Sequence, residues 1–217
     1  MYKVRIRFEK QGYASYISHL DLMRTLQRSL TRAGLPARYT AGFNPHIYLS
    51  ILAPLSTGYQ SEYELADFDL TCDYLPADLT ERLNAALPQG LRALEAGPAG
   101  RPVNQIAWHE YEIFYHSPWE ERISEIFQGQ VKILKRSKRG DKEAVLNDYI
   151  RQMKFEPADP ADPAQGFCCR CQLKAGDDPM NPSYLTDVLR FHNLVSQEDK
   201  PLYLRKAILD EEGKLFF

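Results

Sequence analysis

The chain has 217 residues, of which 44% are hydrophobic and 12% aromatic, so it can bury a core and is not a disordered chain. No apolar run approaches the roughly 18 residues that a membrane-spanning helix needs. The first residues also lack the apolar centre of a signal peptide. The sequence therefore predicts a cytoplasmic protein that does not bind a membrane.

Charge is unevenly distributed along the chain, although the net charge is only −2. Residues 1–50 carry eight Lys or Arg against two Asp or Glu, whereas residues 51–100 carry two against eight. Such sorting predicts a local positive potential in the first fifty residues.

The first half of the chain is predicted to contain two helices among extended segments. Residues 2–9 alternate hydrophobic and charged side chains, as a strand does. Ser18 and Asp21 form an acidic variant of the capping box at the start of a helix that ends before Gly34. In chain order we predict a strand at 2–9, a helix at 18–33, an extended segment at 35–41 with a turn at 42–46, a strand at 63–70, a helix at 79–87 and a strand at 91–95.

A Gly- and Pro-rich segment at 95–103 predicts a linker, and a similar order of elements follows it. Ser117 with Pro118, and Asn181 with Pro182, are typical of helix starts. We predict a strand at 108–115, a helix at 117–128, an extended segment at 131–135, mixed structure at 144–155, a strand at 167–174, a helix at 181–191 and a strand at 202–209. The order predicts an α+β fold of two tandem ferredoxin-like (βαββαβ) halves, residues 1–97 and 108–217, joined by a linker at 98–107.

Three arginines of the first helix predict a binding surface. Arg24, Arg28 and Arg32 lie on one helix face, where like charges repel by roughly 0.3 kcal/mol per pair. No carboxylate lies four residues from any of them to offset this repulsion. A phosphate would offset it, because the planar guanidinium binds phosphate at two points. Together with Asn44 and His46 of the following turn, they form the predicted substrate-binding set.

The arginines have a second explanation, which is pairing with the acidic segment that follows. Glu62 and Glu64 lie on one face of the predicted strand. They could act as paired acids or as salt-bridge partners of the arginine row, and we favour the second interpretation.

His19 and His46 are the candidate catalytic residues. Two histidines beside a basic row could bind phosphate, act as acid and base on a ribose hydroxyl, or ligate a metal. Tyr39, Phe43 and Tyr48 lie near the arginines in the sequence and offer surfaces on which bases could stack.

A second basic cluster has five Lys or Arg between Lys132 and Arg139 and is predicted to form a hairpin tip or loop. Beside a nucleic acid it would supply contacts that do not depend on base sequence.

The cysteines predict reduced thiols, which we expect to be buried at 168, 169 and 171, and no metal or cofactor. Their spacing fits neither a zinc module nor an iron–sulfur site, and the chain is too large for a disulfide framework. They are Cys72, Cys168, Cys169 and Cys171.

Two segments, YISHLDLMRTLQRSLTRAGLPARYTAGFNPH and PLSTGYQSEYELADFDL, resemble the bacterial radical-SAM-linked protein family, a domain of unknown function found beside or fused to radical SAM enzymes. The resemblance implies a radical SAM enzyme as partner. The cysteine motif that holds a radical SAM cluster is absent, so we expect this chain not to be the radical enzyme. The matching residues are Ser18, His19, Asp21, Arg24, Arg28, Arg32, Gly42, Phe43, Asn44, Pro45, His46, Gly58, Ser61 and Glu62.

The order of elements also resembles the tandem ferredoxin-like RNA-processing proteins of CRISPR systems, some of which cleave RNA with a histidine near the first helix. This chain lacks their C-terminal glycine-rich loop. The resemblance concerns the fold alone.

Three hypotheses follow from the sequence. The first is a non-enzymatic accessory protein of a radical SAM enzyme, which binds tRNA, rRNA or another phosphate-bearing substrate through the basic helix. The second is a metal-independent RNA endonuclease or transferase that uses His19 and His46. The third is a protein-docking module whose basic face binds an acidic patch on the radical SAM partner.

Overall fold

The computed structural model describes residues 1–136 and 140–217, which form two compact units. The first unit comprises Met1–Gln105 with Lys214–Phe217, and the second comprises Ile106–Gly213. The division falls within the predicted linker, but the last four residues are grouped with the first unit and not with the half at 108–217.

The first unit packs two helices against one antiparallel sheet. Its strands are ordered β4-β1-β3-β2. Its elements are β1 (Tyr2–Lys10), α1 (His19–Arg32), β2 (Leu49–Leu52), β3 (Gln60–Leu70), α2 (Leu79–Ala86) and β4 (Leu91–Pro98).

The core of this unit follows from the periodicity of its sequence. Val4, Ile6 and Phe8 alternate along β1 and are all fully buried, while Leu22 and Leu26 on α1 are buried in the same hydrophobic cluster. The predicted cap of α1 is confirmed, because the Ser18 hydroxyl accepts a hydrogen bond from the backbone N–H of Asp21.

The second unit has its own antiparallel sheet, ordered β10-β5-β9-β8, and a separate two-stranded hairpin of β6 and β7. Its elements are β5 (Trp108–Tyr115), α3 (Arg122–Ile126), β6 (Lys132–Lys135), β7 (Lys142–Val145), β8 (Ile150–Pro157), β9 (Phe167–Lys174), α4 (Ser183–Phe191) and β10 (Leu202–Leu209). The predicted α+β class is confirmed, while the tandem ferredoxin-like halves stay a prediction.

Several predicted bounds were wrong. No strand forms at 35–41, where Ala37 and Tyr39 make only isolated bridges; the second strand of this unit is instead β2, which pairs with β3. β4 continues to Pro98, into the segment predicted as linker. The helix predicted from Ser117 begins at Arg122, because the Ser117 hydroxyl donates to Asp199 at 2.8 Å instead of capping a helix. Among the described residues, none of the helices is both long enough and apolar enough to cross a membrane.

The last residues of the chain cover the face of the first sheet opposite its helices. Arg5 is buried on this face, where its guanidinium donates to both carboxylate oxygens of Asp67 at 2.7 and 3.0 Å. The ring of Phe216 is fully buried, with the guanidinium carbons of Arg5 and Arg101 4.9 and 4.7 Å from its centroid. The Tyr63 hydroxyl donates to the Phe216 carbonyl at 3.3 Å. These contacts explain why the last four residues are grouped with the first unit.

We expect Phe216→Ala to lower the free energy of unfolding by about 3–5 kcal/mol, because truncating a buried phenylalanine leaves a cavity over two guanidinium groups. Leu215→Ala is the matched control, since Leu215 is largely exposed and should change stability by about 0.5 kcal/mol or less. Urea unfolding of the full chain measures both. Equal effects of the two substitutions would contradict the described packing.

Candidate functional site

The three arginines of the predicted row all lie on the exposed side of α1. The helix buries Leu22, Leu26, Ser29 and Leu30 against the body of the first unit. All three arginine side chains are therefore exposed, but each has different neighbours.

Arg32 is bound to the neighbouring helix. Its guanidinium donates to the Ser29 hydroxyl at 3.0 Å and to the carbonyl of Ala86, the last residue of α2. In the opposite direction, Arg82 of α2 donates to the carbonyls of Ala33 and Gly34 at 2.8 and 2.7 Å, just after the end of α1. Helix ends leave carbonyl groups without partners, and cations are favourable there. Arg32 therefore has a structural role that its spacing did not reveal.

Arg24 and Arg28 face solvent. Arg24 lies 3.3 Å from the carboxylate of Asp21, and both side chains are more than half exposed, so this ion pair contributes little to stability. Arg28 makes no hydrogen bond or ion pair with any described residue. The predicted pairing with Glu62 and Glu64 is wrong for the described residues, since the recorded partners of the row are Asp21, Ser29 and Ala86.

The turn after α1 forms a small hairpin, residues 38–48, which we call the GFNPH hairpin. The Tyr48 N–H donates to the Arg38 carbonyl at 2.9 Å, and the Thr40 N–H donates to the His46 carbonyl at 2.7 Å. Residues 41–45 form its tip and are exposed. The guanidinium of Arg38 lies over the ring of Tyr48 at 4.7 Å.

Two side chains of α1 hold the GFNPH hairpin against the helix. The Gln27 amide donates to the Ile47 carbonyl at 2.9 Å, and the Thr31 and Tyr39 hydroxyls are 3.4 Å apart. Gln27 and Thr31 were missed by the sequence analysis; their i, i+4 spacing was the only signal.

The two arginines that face solvent adjoin this hairpin. Residues three apart on a helix are surface neighbours, so Arg24 lies beside Gln27 and Arg28 lies beside Thr31. Arg24 and Arg28 are therefore helix-surface neighbours of the two residues that contact the GFNPH hairpin, whereas Arg32 donates to the end of α2.

His46 and Asn44 have local roles in the hairpin. The Nδ1 atom of His46 lies 3.3 Å from the Thr40 hydroxyl and 3.2 Å from the Asn44 carbonyl oxygen. Asn44 thus contributes its main chain to the turn, and its side chain bonds to no described residue.

His19 is exposed at the first residue of α1 and makes no hydrogen bond or ion pair with any described residue. No recorded contact joins it to His46. Catalysis by the two histidines stays a prediction.

Exposed aromatic rings accompany the arginines. Phe43 at the hairpin tip is fully exposed, and Tyr39 and Tyr48 are about half exposed. A fully exposed phenylalanine contributes nothing to the core, so its ring is available to a ligand.

The other predicted clusters do not form a metal centre within the described residues. Cys168, Cys169 and Cys171 are buried free thiols, and burial raises the pKa of Cys168 to about 11. Among residues 1–136 and 140–217, no group of three or more His, Cys, Asp or Glu side chains could hold a metal ion.

Part of the second basic cluster lies outside the described residues, namely Lys138 and Arg139. Of its described members, Lys135 pairs with Asp178.

A family model described as "Uncharacterized protein conserved in bacteria (DUF2344)" matches residues 3–180, which include α1 and the GFNPH hairpin. No curated protein matches the chain.

The different roles of the arginines predict different effects on stability. We expect Arg32→Ala to lower the free energy of unfolding by about 1 kcal/mol, because it removes hydrogen bonds to the end of α2. Arg28→Ala is the matched control and should change it by about 0.5 kcal/mol or less, since no described contact is lost. Urea unfolding measures both variants, and a loss at Arg28 as large as that at Arg32 would contradict the assignment.

Proposed function

The chain belongs to the DUF2344 family of uncharacterized proteins conserved in bacteria, and we propose that its first unit binds RNA through α1 and the GFNPH hairpin. We also propose a radical SAM enzyme as the partner of this protein, because two segments of the first unit resemble the radical-SAM-linked family. In this proposal the protein presents tRNA, rRNA or another phosphate-bearing substrate to a radical SAM enzyme and is not itself an enzyme.

The observation that carries the proposal is the unpaired guanidinium of Arg28. Within residues 1–50, Arg28 is the one Lys or Arg that has no hydrogen bond or ion pair with any residue that the structure describes. Most of the others are satisfied by recorded contacts, such as Arg7 with Glu95 and Arg38 with Asp69. A guanidinium held at a helix surface without a counter-charge is suited to two-point contacts with a phosphate.

The aromatic side chains of the hairpin support a nucleic acid as the ligand in preference to a small anion. Proteins that bind single-stranded nucleic acid combine positive charge along the backbone with rings on which bases stack. Phe43, Tyr39 and Tyr48 supply exposed rings on the hairpin that adjoins Arg24 and Arg28. Single-stranded loops of RNA are the usual targets of such surfaces, because their bases are unstacked.

We also propose that the two units are tandem ferredoxin-like domains. Support comes from the sheet orders β4-β1-β3-β2 and β10-β5-β9-β8, in which the two central strands are the first and third of each sheet in chain order. The β6–β7 hairpin is then an insertion in the second domain, between α3 and β8.

Protein docking is the second candidate function. Tyr13 and Leu20 are largely exposed, and they lie in the turn before α1 and in its first helical turn. Exposed apolar side chains of this kind are typical of surfaces that bind proteins.

The proposal predicts salt-dependent RNA binding that requires Arg28. With a labelled single-stranded RNA or a tRNA, the slope of log K against log salt should decrease in magnitude by about 0.7 in Arg28→Ala, because one phosphate contact is lost. Phe43→Ala should weaken binding by about 1–3 kcal/mol without lowering thermal stability, since its ring is exposed. Fluorescence anisotropy between about 50 and 200 mM salt measures these effects.

Arg122→Ala is the matched control, because Arg122 is an exposed helical arginine of the second unit with no partner among the described residues. Absence of binding at low salt, or equal slopes for the two arginine variants, would refute the RNA-binding surface. A radical SAM partner that is captured equally after RNase treatment, and lost in Arg24→Ala/Arg28→Ala, would instead favour docking.

A further inference from the structure

A groove of about 1050 Å³ lies in the second unit, between the β6–β7 hairpin and α4. It is lined on one side by residues of β6 and on the other by residues of α4 that include Val188 and Phe191. Phe191 is largely exposed, so this wall presents apolar surface to solvent.

The hydrogen-bonding pattern of the β6–β7 hairpin leaves one edge of β6 open. The Leu146 N–H donates to the Val131 carbonyl at 2.8 Å, which fixes the residues that face β7. Because hydrogen-bonded positions alternate along an antiparallel strand, Ile133 also faces β7, whereas Lys132 and Leu134 direct their N–H and C=O groups away from it.

The open edge of β6 faces α4. Arg136 follows Leu134 by two residues, so its N–H points to the same side as those of Lys132 and Leu134. This N–H donates to the hydroxyl of Tyr184 on α4 at 2.8 Å. No described residue outside the hairpin bonds to the main chain of Lys132 or Leu134. The groove therefore offers main-chain donors and acceptors along one side, and the mixed surface of α4, on which Phe191 is exposed, along the other.

A strand edge beside a helix is a surface to which an extended peptide can add as a further strand. Main-chain hydrogen bonds then give affinity, and alternate side chains of the peptide contact the groove. At about 3.3 Å per residue, the four residues of β6 match a segment of similar length.

Charge indicates which kind of segment fits. The groove is lined by three basic residues, Lys132, Lys135 and Arg136. Asp187 is the one acidic residue among the described residues that line it. Lys135 already pairs with Asp178, while Lys132 and Arg136 make no side-chain ion pair with a described residue. A second copy of the same edge would bring like charges together and is disfavoured.

We propose that this groove binds an extended acidic segment of a partner protein, which adds as a strand to the open edge of β6 and places alternate apolar side chains against α4. The site lies wholly in the second unit and takes a different ligand from the RNA-binding surface. Its test is therefore independent of that proposal.

The test uses the full chain and a labelled peptide of about seven residues that alternates glutamate and valine. Binding should slow hydrogen exchange at the amides of Lys132 and Leu134 and leave the amide of Ile133 unchanged, as measured by NMR. Three control ligands are the peptide methylated on alternate backbone nitrogens, a lysine–valine peptide and a single-stranded oligonucleotide. All three should bind at least tenfold more weakly.

Two pairs of variants measure separately how main-chain hydrogen bonds and side-chain charge contribute to peptide binding. Leu134→Pro removes the open N–H and should weaken peptide binding about fivefold relative to Leu134→Ala, which keeps it. Lys132→Glu should weaken binding more than Lys200→Glu, an exposed lysine outside the groove lining. Equal binding of the methylated peptide, stronger binding of the oligonucleotide, or no protection of Lys132 and Leu134 would overturn the proposal. If a variant does not fold, hydrogen exchange at the amides of Lys132 and Leu134 in the unsubstituted protein still tests the proposal.

Discussion

The last carbonyl groups of an α-helix have no partner within the helix, and this constraint organises the first unit. α1 and α2 satisfy it by exchanging arginines, since Arg32 donates to the end of α2 and Arg82 donates to the end of α1. The exchange joins the C-terminal ends of the two helices. On other faces of α1 the leucines are buried in the core, Gln27 and Thr31 contact the GFNPH hairpin, and Arg28 is exposed to solvent.

Most of the positive charge in the first fifty residues serves the fold. Arg5 binds Asp67 in the covered face of the sheet, and Lys3 lies 3.8 Å from the same carboxylate. Arg38 pairs with Asp69, so the acidic residues of β3 neutralise basic residues that precede them in the chain. Four basic residues within 1–50 thus pair with carboxylates within 51–100, namely Lys3, Arg5, Arg7 and Arg38. The proposed RNA-binding surface uses the remaining cation, Arg28, and the exposed rings of the GFNPH hairpin, and does not depend on the total charge.

The features that were predicted from the sequence are those fixed by neighbouring residues. α1 and its Ser18 cap follow from a local period and a local hydrogen bond, and the strands at 108–115, 167–174 and 202–209 have the predicted bounds. The missed features depend on distant partners. β2 exists because it pairs with β3, the Ser117 hydroxyl is engaged by Asp199, and Arg32 meets a carbonyl 54 residues away. Their spacing in the sequence predicts the same role for the three arginines, whereas their tertiary contacts give them different partners.

We propose that an RNA strand lies along α1 and the GFNPH hairpin, with its phosphates at Arg28 and its bases against the exposed rings. Ultraviolet cross-linking of the full chain to a single-stranded RNA, followed by mass spectrometry of the digested protein, locates the RNA most directly. The account predicts that cross-links concentrate within residues 19–48, with Phe43 among the modified residues. Cross-links confined to other parts of the chain would contradict it.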